Sequence, residues 1–174
     1  MKREPDSSHA AAGIDGEITG LTGPVPTGKI VIVASRYNAN VCDALAVAAV
    51  ETLVAAGVPQ ADIQVIRVPG AWELPLAVKL ALQSPSVIAA IAFGVVIRGE
   101  TTHDEHINRA VSMALMQLGL ETMRPIGFGL LTCNTPEQAT ARAGGEVGNK
   151  GIEAAEAVLE MLRLPTSRRN VPGI

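Results

Sequence analysis

Residues 87–97 read VIAAIAFGVVI, a run without a single charged or hydrogen-bonding side chain. It is too short to cross a bilayer as a helix and stops at Arg98. In an extended chain its apolar residues fall on both faces. That pattern fits a central strand of a parallel sheet, which helices must cover from both sides. The rest of the chain is organised around this requirement. Compact β-branched or apolar runs recur at 29–34, 63–68 and 125–131, separated by segments with helical signals.

The first helix is expected after Asn40 as N-cap and ends at Gly57. The second covers 73–83, with Pro75 in its first turn. Thr102-His103-Asp104-Glu105 reads as a capping box for a third helix ending near Gly119. Thr135-Pro136-Glu137-Gln138 reads as a second box, and a glycine-broken stretch at 144–151 precedes a last helix over 152–162. These elements predict an α/β fold, a three-layer α/β/α sandwich around four buried parallel strands. Residues 1–28 read as a flexible arm in which GEITGL (16–21) is a weak edge-strand candidate. Residues 29–164 form the domain and 165–174 a tail.

Composition excludes several function classes. With 48% hydrophobic and 18% charged residues the chain is neither disordered nor fibrous. A net charge of −3, with adjacent basic pairs only in the two tails, argues against nucleic acid as a partner. The N-terminus lacks an apolar signal region, and Cys42 and Cys133 have no CxxC spacing. A reduced, cytoplasmic location without membrane attachment is therefore expected. Only Tyr37, Trp72, Phe93 and Phe128 are aromatic, so the core is aliphatic and each ring needs a reason.

In a parallel α/β sheet the site lies at the carboxyl ends of the strands. There the sequence places Ser35–Asn40, Pro69–Glu73, Arg98–His103 and Thr132–Thr135. The turn VIRGETTH (96–103) carries a glycine, two threonines and a histidine at a helix start, where backbone N–H groups favour phosphate or carboxylate. His103 is the candidate proton-transfer residue, on a line with Ile107, Ala110, Ala114 and Leu118 that leans toward the packed side. His106 lies three residues on, but two histidines without a matched third ligand make a poor metal site. No HExxH, GxGxxG or GxSxG motif occurs, and GPVPTGK (23–29) precedes a strand instead of following one. A non-catalytic flavin- or nucleotide-binding module, which needs the rings but not His103 or Arg142, remains an alternative. A metal-dependent hydrolase using His103 and His106 is another.

Four ordered segments carry a resemblance. They are Arg36-Tyr37-Asn38, VPGAWELP (68–75), GVVIRGETTH (94–103), and a group running from Phe128-Gly129 through Glu137-Gln138-Ala139 and Arg142-Ala143-Gly144 to Gly148-Asn149-Lys150-Gly151. Over roughly 29–164 the chain resembles the 6,7-dimethyl-8-ribityllumazine synthase family. The resemblance implies a flavodoxin-like sheet and a transferase of riboflavin biosynthesis. It condenses 5-amino-6-(D-ribitylamino)uracil with 3,4-dihydroxy-2-butanone 4-phosphate and releases phosphate and water, with no metal or organic cofactor. By position, Tyr37 stacks on the pyrimidine. Ala71, Trp72 and Glu73 contact the uracil substrate, Glu73 at the ribityl hydroxyls. Val95, Val96 and Ile97 line the ring pocket, and Glu100 and Thr101 meet the ketose phosphate. Phe128 and Arg142 come from a neighbouring subunit, Arg142 as the phosphate's charged partner, with Lys150 nearby and His103 moving protons. Asp104 and His106 depart from the aromatic residues common at those positions. The family also implies a homopentamer, in some members an icosahedral shell of sixty subunits. The N-terminal arm then adds a strand to the neighbour, and riboflavin synthase is a candidate partner.

Overall fold

The computed structural model describes residues 18–169, with side-chain environments through residue 164. Four strands form one parallel sheet: β1 (Lys29–Ser35), β2 (Ile63–Val68), β3 (Val87–Ile97) and β4 (Ile126–Cys133), in the order β2-β1-β3-β4. Helices α1 (Ala39–Ala55), α2 (Leu74–Leu82), α3 (His103–Thr122), α4 (Pro136–Ala141) and α5 (Lys150–Arg169) cover the two faces. The small hairpin β5 (Ala143–Gly145) and β6 (Gly148–Asn149) links α4 to α5. This is the expected flavodoxin-like three-layer arrangement.

The aliphatic composition dictates two separate cores, one per face. Ile30, Ile32, Ile91 and Phe93 pack against α1 and α5, whereas Val31, Val33, Ala90 and Ala92 pack against α2 and α3. Period-2 alternation along β1 and β3 sends neighbouring residues to opposite cores, so both strands must be apolar throughout. Phe93 is fully buried and fills the α1/α5 side. The edge strands behave differently. Gln64, Val65 and Arg67 on β2, and Phe128 and Thr132 on β4, are exposed, so the sheet is buried at its centre rather than across all four strands.

Several local expectations are corrected. Helix α1 starts at Ala39 behind Asn38, not after Asn40, because the Asn38 side chain is engaged on Val95 and its backbone turns left-handed (φ 55, ψ 46). Thr102 makes no capping hydrogen bond: at φ −78, ψ 10 it lacks the extended conformation that aims a cap oxygen at the helix. Helix α3 runs through Gly119 to a left-handed stop at Met123. At α4, Thr135 Oγ1 does accept from the Gln138 N–H, but Gln138 Oε1 accepts from the Asn134 N–H instead of closing the box. Helix α5 continues through 165–169, so the helical backbone extends past the expected tail boundary at 165. Residues 18–21 form no strand within the chain; Gly16 and Glu17 of the arm motif, the arm before them and residues 170–174 lie outside the described residues.

Candidate functional site at the carboxyl edge of the sheet

Strand order places the crevice. β1 hands over to β2 on one side and β3 to β4 on the other, so the connections diverge between the ends of β1 and β3. Tyr37 lies in the short link 36–38 at this point. Its N–H donates to Pro69 O (3.1 Å) and the Arg36 N–H to Val68 O (2.8 Å), which lays the link against the end of β2. Asn38 then bridges the crevice: its Nδ2 donates to Val95 O at 3.1 Å. With the main chain held, the Tyr37 ring stands 75% exposed.

After β2 the chain makes a tight 3-10 turn over Ala71–Glu73. The Gly70 N–H donates to Glu73 Oε2 (2.8 Å), so one carboxylate oxygen holds the turn. Ala71 is buried and Trp72 is 60% exposed. The turn can sit on β3 because Gly94 has no side chain. A Cβ there would come within 2.9 Å of Leu74 Cδ1, 3.0 Å of Leu130 Cδ1 and 3.3 Å of Ala71 Cβ.

Beyond Gly94, Val95 is buried and Val96 and Ile97 are half-buried. The Arg98 N–H donates to Cys133 O (2.8 Å), tying the end of β3 to that of β4. Glu100, Thr101 and His103 are exposed around the start of α3. His103 therefore does not lean into the core. The buried stripe is Val111, Leu115 and Leu118, and eight residues before Val111 the helix has rotated by roughly 80°. Among the described residues no three His, Cys, Asp or Glu side chains are placed to hold a metal ion, so His106 adds no ligand set to His103.

A second group of predicted residues lies elsewhere. Phe128, Arg142 and Lys150 line a groove of about 590 Å³ between β4 and α5, together with Thr132, Glu153 and Met161. Phe128 is 52% exposed. Arg142 Nη1 donates to Gln138 O (2.9 Å), the Lys150 N–H donates to Arg142 O (2.9 Å), and Lys150 Nζ donates to Glu153 Oε2 (2.5 Å). Glu153 offsets Lys150, so the groove carries one net positive charge from Arg142 and Lys150, which suits an anionic ligand group. Glu153 was absent from the sequence-predicted set, although its spacing of three from Lys150 on one helix is a readable signal for the ion pair.

Within one chain, then, Tyr37, Ala71, Trp72, Glu73, Val95, Val96, Ile97, Glu100, Thr101 and His103 gather at the carboxyl edge. Phe128, Arg142 and Lys150 gather beside edge strand β4, and none of the first set lines that groove. Burial pushes the nearby Cys133 thiol up from its ordinary value, and the Arg142 guanidinium partly opposes this.

Comparison with known proteins gives a consistent result. The family model for 6,7-dimethyl-8-ribityllumazine synthase matches residues 27–166. The 6,7-dimethyl-8-ribityllumazine synthase of Rhodopirellula baltica is 60% identical over 152 residues, 87% of this chain and 98% of the relative. The proteins of the same name from Gemmatimonas aurantiaca and Thermus thermophilus are 50% and 45% identical, over 78% and 81% of this chain and 83% and 92% of their own lengths.

Proposed function

The chain belongs to the 6,7-dimethyl-8-ribityllumazine synthase family, and from that premise we propose that it is the lumazine-forming transferase of riboflavin biosynthesis. It condenses 5-amino-6-(D-ribitylamino)uracil with 3,4-dihydroxy-2-butanone 4-phosphate, without a cofactor and in the cytoplasm. The observation that carries this is the division of the family's motifs over the fold: a ring-and-carboxylate surface at the carboxyl edge, and a ring-and-cation groove at β4.

The reaction needs little beyond positioning and proton transfer. The 5-amino group adds to the ketone and imine formation expels water. Elimination breaks the C–O bond to phosphate, and closure of the ring onto the ribityl-bearing nitrogen expels a second water. Tyr37 offers a flat face to the pyrimidine, and Ala71–Glu73 with Val95–Ile97 border it. The second Glu73 oxygen accepts from ribityl hydroxyls. Arg142, with Lys150, balances the departing phosphate beside Glu100 and Thr101, and His103 carries protons between nitrogen and oxygen centres. Holding both substrates together supplies much of the rate, so rigid surfaces count for more than a strong acid or base.

On this reading the two surfaces complement each other between copies, since none of the carboxyl-edge set lines the β4 groove of its own chain. A head-to-tail contact would set the β4 groove of one copy against the carboxyl edge of the next, and with a rotation of one fifth of a turn it closes into a five-membered ring. We assign a homopentamer, with the sixty-subunit shell and riboflavin synthase docking as further assembly. Met113, Met116 and Leu120 along α3 and Met123 at its end, all exposed in the single chain, give that ring apolar surface to bury. Incubating the protein with both substrates tests the activity. Lumazine absorbance should rise with one phosphate released per lumazine and no effect of a chelator; a folded protein yielding neither product contradicts it.

A further inference from the structure

The link that carries Tyr37 is held from beneath by two buried groups for which the proposed mechanism has no use. Ser35, the last residue of β1, is fully buried, and among the described residues it is the polar one sealed into an otherwise apolar core. Its Oγ donates to the Tyr37 carbonyl at 3.1 Å. Cys42, in the first turns of α1 and also fully buried, brings Sγ to 3.6 Å from the same carbonyl and 3.4 Å from Ser35 Oγ. A hydroxyl and a thiol thus converge on one carbonyl, while Pro69 O takes the N–H of the same residue. Tyr37 is therefore fixed at both ends of its backbone although its ring is mostly exposed. Placing two polar hydrogens in an aliphatic core is costly unless each is satisfied. Here the carbonyl of a single loop residue satisfies them.

We infer that Ser35 and Cys42 are positioning residues that set the Tyr37 ring for the pyrimidine substrate, acting through its carbonyl. The inference rests on the stacking role proposed for Tyr37. Burial keeps the Cys42 thiol protonated by pushing its ionisation up, so that it serves as a donor. The Asn38 bond to Val95 O then locks the same link to the β3 end, so one clamp aligns two walls of the crevice.

Tyr37 is the one tyrosine of the chain, which makes the test clean. Tyrosine labelled with carbon-13 at its carbonyl gives one isotope-shifted infrared band, readable in an assembly of any size. Ser35→Ala and Cys42→Ala should each move that band to higher frequency and raise KM for the ribitylaminouracil about fivefold, the worth of one hydrogen bond. KM for the butanone phosphate should move less, and Cys42→Ser should restore both band and KM. A band unmoved in both alanine variants overturns the clamp. A moved band with unchanged pyrimidine KM, while Tyr37→Ala raises that KM, overturns positioning but leaves stacking intact. If Tyr37→Ala itself leaves the KM unchanged, the stacking reading fails and the positioning role falls with it.

Discussion

At the residue scale, the proposed chemistry divides between one imidazole and two cations. His103 stands exposed at the first turn of α3, free to reach a substrate. Proton transfer by a positioned side chain contributes about 10²–10⁴-fold, and proximity supplies much of the remainder. His103→Ala should therefore lower kcat by about 100-fold and leave measurable turnover, read by lumazine absorbance under substrate saturation. Arg142→Ala removes a charge-assisted contact worth about 1.5–3 kcal/mol. KM for the butanone phosphate should rise by about 10- to 100-fold while that for the pyrimidine changes less. Both cysteines also make a pH prediction. Burial raises the Cys42 and Cys133 thiols above the unfolded value of 9.0. As pH climbs past 9 the unfolded chain loses these protons first, so the folded state loses stability there and keeps it in full below. Denaturation midpoints should fall between pH 8 and 10, and fall less in Cys42→Ser.

Elements show which parts of this were readable before the fold was known. β3 was legible to the residue, because a strand apolar on both faces has one stable setting. The α3 start stands where the spelling puts it, with Thr102 as N-cap, but the capping bond does not form, because the backbone at Thr102 does not present its oxygen to the helix. The orientation of His103 failed for a related reason, since the stripe that packs is fixed by Val111, Leu115 and Leu118 further along. The clamp beneath Tyr37 left no trace in any pattern; it depends on the β1 end and the α1 start meeting in space. Gly94 sits between these cases, visible as a glycine yet explained only by the turn that lies on it. Gly94→Ala must push Leu74, Leu130 and Ala71 aside. It should cost about 1–3 kcal/mol by denaturant titration and raise KM for the pyrimidine as the 71–73 turn lifts away. At the start of α5, Gly151→Ala would set a Cβ 2.1 Å from Leu45 O, where α5 meets α1. That change should lower stability and, because Gly151 adjoins Lys150 of the groove, raise KM for the butanone phosphate more than KM for the pyrimidine.

For the whole molecule, the decisive fact is that the family's functional positions occupy two surfaces of one chain rather than a single enclosed pocket. Alone, the carboxyl edge lacks a cationic groove, and the groove lacks the pyrimidine face and the histidine. The head-to-tail ring proposed above would give each crevice half of its walls from a neighbour. Light scattering should accordingly report about five chains or a multiple of that number, and a monomer that turns over substrate would contradict the assembly. Subunit mixing probes the central claim, a lumazine-forming site divided between two copies, most directly. His103→Ala and Arg142→Ala proteins are unfolded together, refolded as a mixture and assayed for lumazine formation. About a quarter of the interfaces in a randomly mixed ring then pair an intact carboxyl edge with an intact groove. The account predicts a rate near a quarter of that of the parent protein, well above either variant alone. A mixture no faster than the average of the two variants, in rings shown by mass to contain both, would contradict it.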